Sequence, residues 1–194
     1  MLRVLRVSIV LAVALAFIAV AATSRSGLLW RLSTFTYQAN LLAAAFYLWT
    51  LVSPRGPHPG VRGAVVVYVV VAGVIWNLFL TGYSMGYTVA NFLLHLVVPL
   101  LAVAEWLCVG PGQGRVHWWQ PLAWLIYPAS YLVLALMVLN HAGRRAPYYF
   151  LDPDSVGIAG VVLNICLLGA VFVALSYLIL AVGRLRRFAR ADAR

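Results

Sequence analysis

Apolar residues run along this chain in six stretches of roughly 20, broken by short segments rich in glycine, proline or arginine. A run of that length is what an α-helix needs to cross the hydrocarbon core of a bilayer. The stretches lie at about 4–22, 35–53, 61–83, 87–109, 119–140 and 156–183. They predict an all-α polytopic membrane protein, a six-transmembrane-helix bundle forming a single transmembrane domain over 1–183, followed by a basic cytoplasmic tail at 184–194. Pro54-Arg-Gly-Pro-His-Pro-Gly60 and Gly110-Pro-Gly-Gln-Gly114 read as turns between spans. Trp118, Trp119 and Trp124 fit an interfacial belt at the start of the fifth span. The first stretch also matches a secretory signal peptide, with Arg3 and Arg6 before it and Ala19-Val20-Ala21 near its end. Its length and the spans that follow favour a retained helix.

The positive-inside rule orients the spans. With the N-terminus in the cytoplasm, Arg3, Arg6, Arg55, Arg62, Arg115 and the five tail arginines, 10 in all, lie inside, whereas Arg25, Arg31, Arg144 and Arg145, 4 in all, lie outside. Both termini are therefore expected to be cytoplasmic.

That orientation gives each polar residue a depth. The fourth span begins outside, so a rise of about 1.5 Å per residue puts Asn91 about 6 Å and His95 about 12 Å below the outer boundary. The third span ends outside, with Asn77 about 9 Å down. Thr36 falls at the outer mouth of the second span and Asn40 one turn deeper, while Asn164 of the sixth is level with His95. Asn140, His141 and Asp152 belong to the outer rim. Polar side chains within spans face a bundle interior and often mark functional sites. These predict a polar pocket in the outer half, the alternative being scattered interhelical hydrogen bonds. The stretch from Asn91 to Pro99 is its centre: residues four apart share a helix face, and Pro99 deprives the His95 carbonyl of its usual donor. Glu105 lies about 15 Å deeper than His95 and reads as an interfacial acid paired with Arg62 or Arg115.

Composition agrees with the membrane assignment: 64% of the 194 residues are hydrophobic, 9% charged, and the mean hydropathy is +0.97. A soluble domain carries about 25% charged residues. The net charge of +10 comes from arginine alone, in loops and tail rather than on one helical face. It reads as an orientation signal that also touches anionic headgroups, not as a nucleic-acid surface. Arginine without lysine, amid much Ala, Val, Leu and Gly, points to a bacterial plasma membrane. Cys108 and Cys166 fall at different depths, so neither a disulfide nor a metal site is expected, and no cofactor is implied.

His95 is the natural general base of such a pocket. Thr34 and Thr36 are the hydroxyls at the mouth of the second span, with Asn40, Asn91 or the His95 carbonyl available to orient the ring, and an asparagine amide to serve an oxyanion. The residues alone leave three readings open: a hydrolase, a non-catalytic binder of lipid or small molecules or structural partner, and a transporter. The last is disfavoured because the polar residues do not continue through the inner half.

Three motifs carry a resemblance. Thr34-Phe-Thr-Tyr-Gln-Ala-Asn-Leu-Leu42 resembles the second helix of a six-span family that includes the animal androgen-induced membrane proteins and small bacterial relatives. Asn91-Phe-Leu-Leu-His95 with Pro99 resembles its histidine helix, and Tyr148-Tyr-Phe-Leu-Asp152-Pro153 its Tyr-Pro-Phe-Leu-acid segment, with Tyr149 where the family has proline. The animal members are similar to threonine hydrolases that cleave esters of fatty acids with hydroxy fatty acids. The resemblance implies Thr36 as nucleophile and His95 as base, acting on a lipid ester among membrane lipids, with Asn40, Asn77, Asn91, Asn164, Asp152 and Tyr148 as pocket residues.

Overall fold

The computed structural model describes residues 1–23, 28–53, 58–82, 86–109, 116–139 and 148–191, and for 28–29, 138–139 and 186–191 the backbone alone. Among these residues the chain is helical and contains no strand. Most of both expected inside turns, the outer-rim Asn140 and His141, and Arg25, Arg55, Arg115, Arg144 and Arg145 lie outside the described residues.

The helices are α1 (Leu2–Thr23), α2 (Leu28–Leu32), α3 (Phe35–Val52), α4 (Pro59–Ile75), α5 (Val89–Phe92), α6 (Val98–Val109), α7 (Gln120–Ala123), α8 (Ile126–Val133) and α9 (Pro153–Ala191). Three wider π-turns extend them: Trp76–Leu80 continues α4, Leu93–Val97 joins α5 to α6, and Leu134–Leu139 continues α8. Five of the resulting helices, Leu2–Thr23, Pro59–Leu80, Val89–Val109, Gln120–Met137 and Pro153–Leu185, are long and apolar enough to cross a membrane. The sixth expected span corresponds to α3, which has 18 residues but carries Thr36, Gln38 and Asn40 in its first two turns.

Local chemistry sets several boundaries. The Thr88 hydroxyl accepts from the Asn91 N–H and caps α5. His58 caps α4, its Nδ1 accepting from the Gly60 N–H, and Pro59 follows at the position where a missing N–H costs nothing. Thr34 stands at the start of α3 without capping it; its hydroxyl donates to the Arg31 carbonyl instead. The fifth expected span breaks at Trp124–Leu125, between α7 and α8, because Pro128 offers no N–H to the Trp124 carbonyl. In α9 the backbone leaves helical geometry at Gly157, where φ is +71°, a value glycine reaches without a Cβ penalty. Beyond that break the helix continues through Ala191, so the basic segment after 183 extends the last helix.

The chain forms two compact units, Met1–His117 with Leu178–Arg194, and Trp118–Tyr177. In the first, α1 packs on α3 and α6, α3 on α4, and α4 on α6. Small residues line these contacts: Ala16, Ala39, Ala43 and Ala102 are fully buried, which lets helix backbones approach. Tyr47, Val66, Leu94 and Trp106 fill the remaining space. The Trp106 indole N–H donates to the Ile179 carbonyl, and its ring lies where a Cβ on Gly183 would stand only 3.1 Å away. In the second unit Tyr131, Phe150, Leu151, Val161 and Phe172 are buried.

Candidate functional site

Pro99 starts the local construction. Without an N–H at position 99 the helix opens by one residue over Leu93–Val97, and the Val98 N–H reaches back five residues to the Leu93 carbonyl. An N–H at position 99 could have served the Leu94 carbonyl at π spacing or the His95 carbonyl at α spacing. Both carbonyls instead receive side-chain amides from neighbouring helices. Asn40 Nδ2 on α3 lies 3.4 Å from the Leu94 oxygen and 2.9 Å from that of Thr36. Asn77 Nδ2 lies 3.2 Å from the His95 oxygen and 2.8 Å from that of Gly73. The carbonyl that the sequence leaves unpaired is thus satisfied.

Opposite, α4 supplies a wall shaped for this opened turn. A Cβ on Gly73 would lie 2.7 Å from the His95 carbonyl oxygen and 3.1 Å from the Pro99 ring, so only glycine allows this approach. The His95 Nδ1 lies 3.2 Å from the Ala72 carbonyl oxygen. A carbonyl can only accept, so this hydrogen bond fixes the tautomer with the proton on Nδ1 and leaves Nε2 as the basic nitrogen. Trp76 stacks on the imidazole at 4.6 Å with 12° between planes, and Tyr87 in turn makes an edge-on contact with Trp76 at 4.9 Å. The Tyr87 hydroxyl donates to Asn77 Oδ1 at 2.6 Å. His95 itself keeps 5% of its surface exposed.

Thr36 is 7% exposed and lies one turn before Asn40. Asn40 joins its backbone to the residue preceding His95, so the two expected catalytic residues belong to one neighbourhood of the first unit. The Thr36 hydroxyl makes no hydrogen bond to a described residue. Asn40 is fully buried, and its Oδ1 has no partner among the described residues. Because both Asn40 and Asn77 turn their NH2 groups onto backbone carbonyls, neither amide is free to serve an oxyanion.

Other expected pocket residues have different tasks. Asn91 Nδ2 donates to the Gly86 carbonyl at 2.8 Å and braces the start of α5 rather than the imidazole, whose orientation comes from Ala72 and Trp76. In the second unit Asn164 Nδ2 donates to the Phe150 carbonyl at 2.8 Å and holds the 3-10 turn Tyr149–Leu151. The Asp152 carboxylate accepts from the Asp154 N–H at 3.0 Å and the Ser155 hydroxyl at 2.9 Å, which caps the start of α9. The Tyr148 ring stacks on Phe150 at 5.4 Å. Tyr148, Asp152 and Asn164 thus build one local structure of that unit.

Comparison with known protein families, curated proteins and solved structures returns no match. Among the described residues no group of histidine, cysteine and acid side chains could hold a metal ion.

Glu105 corrects an expectation. The carboxylate is fully buried among helices, with two arginines rather than one: its Oε1 accepts from Arg6 Nε at 2.8 Å while Arg62 Nε lies 3.6 Å from Oε2. Pairing with Arg62 was legible from shared depth. Arg6 was not, because nothing in the sequence pairs the first span with the fourth, and the packing of α1 against α6 is a tertiary fact. Ala72, Gly73 and Trp76 were missed for a similar reason: the first acts through a carbonyl, the second through an absent side chain and the third through an apolar ring face, and none leaves a polar signal.

Proposed function

We propose that this chain is a six-span membrane protein of the androgen-induced type and that it hydrolyses a lipid ester in its outer half, with Thr36 as nucleophile and His95 as base. The observation that carries the reading is the His95 ring itself. Its Nδ1–H is committed to the Ala72 carbonyl, its plane is fixed by Trp76, and its Nε2 makes no hydrogen bond to a described residue. A buried imidazole held in one tautomer with the other nitrogen unengaged is what general-base work requires. Thr36 supports the reading by its burial and its link through Asn40.

In this reading Nε2 takes the Thr36 hydroxyl proton as the oxygen attacks the ester carbonyl. The proton then passes to the departing alkoxide, leaving an acyl-threonine. Water, deprotonated by the same nitrogen, releases the acid and regenerates the hydroxyl. The occupied amides of Asn40 and Asn77 leave oxyanion stabilisation to other donors.

The unbonded Thr36 hydroxyl favours a second reading, a non-catalytic lipid-binding pocket. One experiment separates them: the purified protein is treated with a fluorophosphonate probe and offered lipid esters. The hydrolase reading expects labelling and turnover that vanish in Thr36→Ala and fall in His95→Ala, with Thr36→Ser retaining part of both. Labelling that persists in Thr36→Ala, or ester turnover indifferent to both variants, rejects the assignment.

A further inference from the structure

Among the described residues of the first unit the buried charges do not balance. Arg6 near the start of α1, Arg62 at the start of α4 and Glu105 near the end of α6 meet at one end of the packed helices, leaving two guanidiniums for one carboxylate. The side chains of Arg6, Arg62 and Glu105 keep 14%, 4% and 0% of their surface exposed. An uncompensated buried charge is expensive, so an excess cation at this depth calls for a counter-anion. Each guanidinium carries five N–H donors; that of Arg6 makes one hydrogen bond to a described residue, to Glu105, and that of Arg62 makes none. Arg62 Nε, Glu105 Oε2 and the Tyr47 hydroxyl are buried without hydrogen-bond partners among the described residues, and Tyr47 lies within electrostatic reach of all three charges. The guanidinium and hydroxyl donors of this cluster are held but not used up.

The position suggests the anion. Arg6 lies four residues into α1, Arg62 three residues into α4 and Glu105 four residues before the end of α6, so the cluster sits within about 6 Å of helix ends. From that depth in a spanning helix a long arginine side chain reaches the interface, where a membrane presents phosphates. Two guanidinium forks match phosphate oxygens better than any single point charge. We propose that Arg6 and Arg62 form a phosphate site holding the headgroup of an anionic phospholipid, with Glu105 offsetting only one of the two positive charges. The site is separate from the His95 neighbourhood and does not depend on the hydrolase reading.

The test uses the full chain, purified with phosphatidylglycerol and with diacylglycerol of the same acyl chains, and bound lipid counted by native mass spectrometry. Wild type is expected to prefer phosphatidylglycerol by at least about tenfold, and Arg6→Gln to lose most of that preference. Arg3→Gln removes the same charge from an exposed neighbour and is expected to change little. Glu105→Gln supplies the decisive sign. Removing the competing carboxylate raises retention at a phosphate site, whereas in a purely structural ion cluster it does not. Equal retention of the two lipids, an equal effect of Arg3→Gln, or unchanged or reduced retention in Glu105→Gln overturns the proposal. Displacement of the lipid by millimolar inorganic phosphate assigns the site to free phosphate and overturns the lipid occupant.

Discussion

At the scale of single residues, the site depends on groups that are inconspicuous in sequence. Gly73 is the clearest. Its missing side chain lets α4 approach the opened turn, and Gly73→Ala would drive a methyl into the His95 carbonyl at 2.7 Å. Overpacking of this kind costs about 1–3 kcal/mol, so a lower melting temperature is expected, together with loss of probe labelling as the imidazole shifts from Ala72. A Gly73→Ala protein with unchanged stability and labelling would show that the contact relaxes freely. Asn77 gives a sharper chemical contrast. Asn77→Asp replaces the NH2 that serves the Gly73 and His95 carbonyls with a third acceptor. It is expected to destabilise more than Asn77→Ala, which leaves the His95 carbonyl unpaired at about 1–3 kcal/mol. Equal effects in thermal unfolding would remove Asn77 from the role assigned to it. Polar residues in apolar runs were readable, and Asn40, Asn77 and His95 do share a neighbourhood. The tasks of their amides were not readable, because those tasks are set by carbonyls on other helices.

At the scale of elements, Pro99 turns a helix irregularity into a site. The proline opens Leu93–Val97, and two asparagines from α3 and α4 fill the positions its N–H would have served. Sequence pattern located five helices long and apolar enough to span, because a run of about 20 apolar residues is legible whatever its neighbours. It placed Asn91 on the His95 stripe by ideal helical spacing, and that spacing fails where the turn widens and Asn91 bonds Gly86 instead. It also ended the last helix at 183, since apolarity ends there while the helical backbone runs on to Ala191. The Pro99 argument yields a double-mutant cycle. Pro99→Ala restores a main-chain donor, so the destabilisation caused by Asn77→Ala should be smaller in that background than in wild type. Neighbouring groups that share a partner couple by about 0.5–3 kcal/mol. Strict additivity would mean that the amide and the missing N–H serve different acceptors.

At the scale of the whole molecule, the number of spans turns on α3. Its 18 residues rise about 27 Å, close to the hydrocarbon thickness of roughly 30 Å. Its polar Thr36 and Asn40 are buried rather than lipid-facing, and it packs against both α1 and α4. A helix whose polar groups turn inward can span although its composition is less apolar than that of its neighbours. Six spans put both termini on one side, and five put them on opposite sides. With Cys108 and Cys166 replaced by alanine, single cysteines at Leu2→Cys and Ala193→Cys report the two ends to a membrane-impermeant maleimide. Both are expected to resist labelling in intact cells and to react after permeabilisation, as the excess of arginines assigned to the inside predicts. The intact mass, measured alongside, verifies that α1 is retained, since removal of α1 would leave an odd number of spans. Labelling of only one of the two positions in intact cells, in a chain of full mass, would leave α3 outside the set of spanning helices.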